Sequence, residues 1–150
     1  MEKKLNPLSP YLWAKNEATK GVSEILGAKA HNPRIIWYHG HTTLKATDDE
    51  TPWCSAFLCA AAESCGFPST RSAAAKSWID PKWKFLEVGD GAVGDIAIFS
   101  RAGGNHVAFI SSPYKEGDKN VIVLGGNQKN MVCESKYPAD RLIGIRRFKV

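Results

Sequence analysis

No apolar run in this 150-residue chain approaches the roughly 20 residues that cross a bilayer, so no stable membrane insertion is expected. The N-terminus, Met1-Glu2-Lys3-Lys4-Leu5-Asn6-Pro7, carries two lysines but no apolar segment behind them. A secretory signal is therefore not expected, and the chain reads as one made in the cytoplasm. Its four cysteines, at 54, 59, 65 and 133, include no C-x-x-C pair and no matching histidine spacing, which argues against a zinc site. His39 and His41 are at most a weak metal pair, and neither metal nor cofactor is assigned. In a reducing compartment the cysteines are thiols, and a domain of this size needs no disulfide framework. There are no internal repeats and no low-complexity linker, so residues 1–150 read as a single domain. Charge of one sign is not concentrated either. The net charge of +5 is scattered, its densest cluster being Arg141, Arg146, Arg147 and Lys149. Without a groove-reading motif, no nucleic-acid partner is expected, although such an excess can draw a protein toward a polyanion. Nothing in the pattern argues for a dimer, and a monomer is the default.

What is present falls into two halves of different period. To about residue 80 the signals are helical. Ser9-Pro10 opens a helix carrying Trp13, which Gly21 breaks or kinks before residues 22–27. Asn32-Pro33 opens a short helix over Arg34 to Tyr38. Residues 40–51 are polar and form a loop in which Asp48, Asp49 and Glu50 are solvated. Glu17 and Glu24 read as surface residues. Thr51 caps a helix from Pro52 to Cys65, with Gly66 as its stop, and Ser72 to Trp78 is a further short helix. The second half has β-type runs at 95–99, 106–110, 121–124 and 142–145, separated by Gly, Pro and Asp. Helices first and strands later predict an α+β fold, with helices packed on an antiparallel sheet.

Cys54 is the residue around which chemistry can be built. At the start of its helix, unpaired N–H groups and the helix dipole favour a thiolate. Phe57, Leu58, Ala61 and Cys65 share its face, which predicts that the cysteine projects toward the sheet. His106 opens a strand, and a simple hairpin register sets it opposite about residue 126, beside Asn127. Nucleophile, base and orienter would then be Cys54, His106 and Asn127. N–H groups at the helix start, including that of Ser55, would supply part of an oxyanion hole, with Trp53 and Gln128 as neighbouring candidates for substrate contact. Each residue also has a plainer reading. A cysteine on an apolar helix face is commonly a small buried hydrophobe, Asn127 after Gly125-Gly126 a turn former, and Trp53 and Trp78 core or cleft wall.

The ordered strings Thr-Pro-Trp-Cys-Ser-Ala-Phe (51–57), Ala-Lys-Ser-Trp (75–78), Gly-Asp-Ile-Ala-Ile-Phe (94–99), Asn-His-Val-Ala-Phe (105–109) and Leu-Gly-Gly-Asn-Gln (124–128) resemble the phage and prophage branch of the CHAP and NlpC/P60 cysteine peptidase families. Residues 17–25 and 32–35 extend the likeness from about residue 13 to 146. The resemblance implies a papain-like α+β fold and cleavage of an amide bond in peptidoglycan, either within the stem peptide or at the muramoyl linkage. By motif position it implies Cys54 as nucleophile and His106 as general base, with no metal. Relatives often place a Glu and a nearby Asn on the strand that here ends Gly125-Gly126-Asn127-Gln128, so the third member is Asn127, with Gln128 in reserve. A phage endolysin reaching the wall after membrane permeabilisation is the natural setting. An antibacterial effector, a protein-directed cysteine peptidase or acyltransferase, and a non-catalytic virion or wall-binding protein are the alternatives.

Overall fold

A computed structural model describes residues 5–25, 31–49, 51–79 and 85–149. Its described elements are three helices, α1 (Ser9–Ala18), α2 (Pro33–His39) and α3 (Cys54–Ser64), followed by strands β1 (Phe85–Val88), β2 (Ile96–Arg101), β3 (Gly104–Ile110), β4 (Asn120–Gln128), β5 (Met131–Pro138) and β6 (Leu142–Phe148). The strands form one antiparallel sheet in the order β1-β6-β2-β3-β4-β5. This is the α+β arrangement expected from the sequence, with two strands that were not read there, β1 and β5.

Helix α3 is the centre of the molecule. Every residue from Cys54 to Ala62 is buried, as befits a helix that is apolar on all sides. It packs on α1 and α2 on one side and on β3 and β4 on the other. Its alanines allow close approach, and Gly126 allows more: a Cβ there would lie 2.7 Å from the Trp53 ring and 2.8 Å from Phe57 Cβ. Gly126 therefore seats the helix entrance against β4. The helix ends in a Schellman turn, with Phe67 N–H donating to Ala62 O, Gly66 N–H to Glu63 O, and Gly66 at φ +83°.

Several local expectations need correction. Helix α3 begins at Cys54, not Pro52, because Asp48 already holds Thr51: its carboxylate accepts from Thr51 N–H at 2.6 Å and from Oγ1 at 3.1 Å. Of the break or kink expected at Gly21 the structure has the break, and residues 22–25 are not helical. Gly21 turns the chain at φ +66°, Ser23 bridges Met131, and Val22 O accepts from Val132 N–H, so the segment docks on β5 instead. Leu26 and Gly27 lie outside the described residues, as does Glu50.

Glu17 is not on the surface either. It is 1% exposed and accepts from Arg34 Nε at 2.6 Å and Tyr38 Oη at 2.8 Å, with Lys20 at 2.8 Å. Burial raises its carboxyl, but these three partners outweigh it and hold the group below the usual range. Glu24 accepts from Trp53 Nε1 at 3.1 Å. Asp49 is buried and accepts from the N–H groups of Ile25 and Asn32, both at 2.8 Å, which pins the loop before α3 to the loop before α2. The C-terminal arginines are also partly internal: Arg147 makes a two-pronged pair with Asp95 at 2.8 and 2.7 Å, and Arg146 reaches Ile79 O.

Candidate active site

The first turn of α3 and the start of β3 meet at Cys54. Its sulfur lies near enough to the Val107 N–H, one residue from His106, for that dipole to favour the ionised form. That N–H is available because the β3–β4 ladder extends only to Phe109↔Leu124 and the strands part beyond it. The N–H groups of Cys54 and Ser55 also face the sulfur, as a helix N-terminus requires. Burial nevertheless dominates and pushes the thiol up, against the lowering effects of the Val107 N–H, Arg101 and the helix start.

His106 is fully buried. Its Nε2 lies 2.9 Å from Gln128 Oε1, while Nδ1 has no hydrogen-bond partner. The tautomer follows from the far end of the same amide. Gln128 Nε2 donates to Cys133 O, an oxygen that can only accept. The amide oxygen must therefore face the ring and accept from His106 Nε2–H. That leaves the lone pair on Nδ1. Burial lowers the imidazole to about 4, with Arg101 adding to the effect and the Gln128 bond opposing it. The ring is stacked at 5.0 Å on Tyr137, which is near enough to Cys54 for charge on the sulfur to raise its phenol.

A β-bulge explains why Gln128 and not Asn127 reaches the ring. Continuing the Phe109↔Leu124 register would set His106 opposite Asn127. In the β4–β5 ladder, however, Gly125 pairs with Cys133 and Gln128 with Met131, so two residues of β4 oppose one of β5. Asn127 takes φ +59° in this bulge, and its side chain has no hydrogen-bond partner among the described residues. The extra residue brings Gln128 onto the histidine.

Other expected site residues are engaged elsewhere. Ser55 Oγ donates to Ser72 O at 2.6 Å and accepts from Trp78 Nε1 at 2.8 Å, so only its main chain faces the site. Trp53 is fully buried and stacks on Tyr38 at 5.9 Å, which makes it core and not a substrate contact. The Gln128 amide oxygen is held by His106 and one of its N–H groups by Cys133 O, so the side chain serves the ring. Sequence reasoning missed Tyr137, carried in on the unread strand β5, and Arg101, at the end of β2.

A cleft of about 290 Å³ reaches Cys54, lined by Pro52, Cys54, Ala73 to Lys76, Arg101 and Gly103 to Asn105. One wall is the segment leading into a 3-10 turn at Ala75–Trp78, and the other is the β2–β3 turn.

A thiol at a central helix N-terminus, a buried histidine on the facing strand and a side-chain amide behind it define a papain-like α+β domain. The CHAP domain model matches residues 46–127, more than half of the chain, and the chain belongs to that family. The match runs from the loop before α3 through β4 to the bulge. CHAP domains are peptidoglycan hydrolases of the amidase and endopeptidase kind. No curated protein and no solved structure shows significant similarity to the chain.

Proposed function

We propose that this chain cleaves an amide bond of peptidoglycan with Cys54 as nucleophile, His106 as general base and acid, and Gln128 as the residue that orients the ring in place of Asn127. The observation that carries this reading is the assignment of the two ring nitrogens: Nε2–H is held by Gln128, and the lone pair on Nδ1 is buried and unengaged, on the strand that faces the first turn of α3.

The thiol proton passes to Nδ1 as Sγ attacks the scissile carbonyl. The free N–H groups of the first turn of α3 stabilise the oxygen as it gains charge. The imidazolium, acidic because of its burial, gives the proton to the leaving amine and a thioester remains. Nδ1 then takes a proton from water, the hydroxide adds to the thioester, and the thiol is regenerated. The amide is either a stem-peptide bond or the muramoyl linkage. An endolysin role, with action on the wall after membrane permeabilisation, is supported by the motif order shared with phage and prophage members of the family.

Digestion of purified sacculi followed by mass analysis of the fragments tests this. New amine termini without new glycan reducing ends are expected. Intact sacculi would overturn the assignment of substrate.

A further inference from the structure

The cleft over Cys54 holds two cations and no counter-charge. Its lining includes Arg101 and Lys76 but no Asp or Glu. Lys76 comes from the wall before Trp78, Arg101 from the start of the β2–β3 turn, and Cys54 lines the same cleft. The rest of the wall is nearly featureless: Ala73, Ala74 and Ala75 present methyl groups, and Gly103 and Gly104 present none. Asn105 is the remaining polar side chain, and its amide nitrogen is turned toward Phe99 O at 3.4 Å. Discrimination by side chains in this cleft therefore falls mainly on two positive groups.

Arg101 is also set apart from the arginines that hold the fold together. Arg34 is tied to Glu17, Arg71 to Glu63, Arg147 to Asp95 and Arg146 to the Ile79 carbonyl. Arg101, half-buried, has neither a carboxylate nor a carbonyl partner among the described residues, and Lys76 has no ion pair there. A guanidinium so placed offers a planar fork that matches a carboxylate, and an ammonium adds a second donor. Arg101 and Cys54 line the same cleft, and the arginine's charge acts on both the thiol and the His106 ring.

Resting on the peptidoglycan reading above, we propose that Arg101 and Lys76 form a subsite for a free carboxylate next to the scissile amide, so that the substrate is a peptide bearing that carboxylate and not its amidated form. Stem peptides occur with such carboxyl groups either free or amidated, which makes the distinction chemically meaningful.

The test uses two matched soluble muropeptides, one with free stem carboxylates and one with the same groups amidated, and follows cleavage by chromatography. The wild type is expected to cut the free form with a kcat/KM at least about 10-fold higher, the worth of a charge-assisted hydrogen bond. Arg101→Gln and Lys76→Gln should each bring the ratio toward one, and Arg101→Lys should restore part of it. If Arg101 serves only to favour the thiolate, Arg101→Gln slows both substrates equally and the ratio stands, which overturns the proposal. Equal wild-type rates on both forms overturn the subsite alone. Cleavage of neither overturns the peptidoglycan reading, and the subsite with it. Lys76 is exposed, so its variant keeps the test decisive even if Arg101→Gln disturbs the hairpin.

Discussion

Removing the Gln128 side chain should slow catalysis while removing that of Asn127 should not. Gln128 is 2% exposed and bridges His106 Nε2 to the Cys133 carbonyl. In the transition state the ring becomes an imidazolium, so the Gln128 bond changes from neutral to charge-assisted. Charged bonds are worth about 1.5–3 kcal/mol and neutral ones about 0.5–1.5 kcal/mol, so the gain of about 1–1.5 kcal/mol corresponds to a rate loss of about 5- to 13-fold for Gln128→Ala. The variant should also lose stability, because the Cys133 carbonyl is left without its donor, at a cost of about 1–3 kcal/mol. Asn127 needs a different control, since alanine at φ +59° would introduce backbone strain of its own. Asn127→Gly removes the amide without that strain and should stay within about 3-fold of wild type, less than the smallest loss expected from a charge-assisted bond. Initial rates of sacculus clearance, read beside thermal melts, measure both. A loss greater than tenfold in Asn127→Gly together with a near-normal Gln128→Ala would refute the assignment of the orienting residue.

Gly126→Ala should lower stability by about 1–3 kcal/mol, because the new methyl would overlap Trp53 and Phe57. Gly89→Ala has open space and no positive φ, so its melting temperature should match the wild type; equal melts for the two variants would contradict the packing argument. Acid should destabilise the fold in two stages. As pH falls from about 6.5 to about 4, the unfolded chain takes up a proton that buried His106 refuses, at a cost of about 3 kcal/mol. His39, also buried and lowered chiefly by burial, acts with the same sign. Glu17 and Asp49, whose carboxyls are held low, withdraw their contribution only at lower pH, as pH falls through their folded values. Denaturant unfolding measured at several pH values should show the first decline before the carboxylates titrate, with a shallower slope in His106→Gln. A flat profile between pH 6.5 and 4 would contradict the burial of a neutral ring.

The helices and the central strands were legible because their signals are local. Asn32-Pro33 caps α2 as expected, with the Asn32 side chain accepting from Arg34 N–H, and Gly66 ends α3 in the left-handed region. Strand β5 was not legible because it lies at the sheet edge, where Glu134 and Lys136 break the apolar pattern of a strand. With it went Tyr137, and with Tyr137 one face of the histidine's surroundings. Asp49 and Glu17 looked solvated because their partners, Ile25, Asn32, Arg34 and Tyr38, are distant in sequence. The meeting of Cys54 with the His106 strand followed from helix face and strand order. The identity of the orienting amide did not, because one extra residue in a bulge changes which side chain arrives. Thr51 failed as a cap for a comparable reason: Asp48, three residues earlier, had already engaged its N–H and hydroxyl.

The most direct test of the account is clearance of purified sacculi by the wild type beside Cys54→Ala, with both shown to be folded by circular dichroism. Removing one sulfur from a buried site should leave the fold intact and abolish clearance. If Cys54→Ala clears the sacculi at the wild-type rate, Cys54 is a packing residue and the proposed chemistry is wrong.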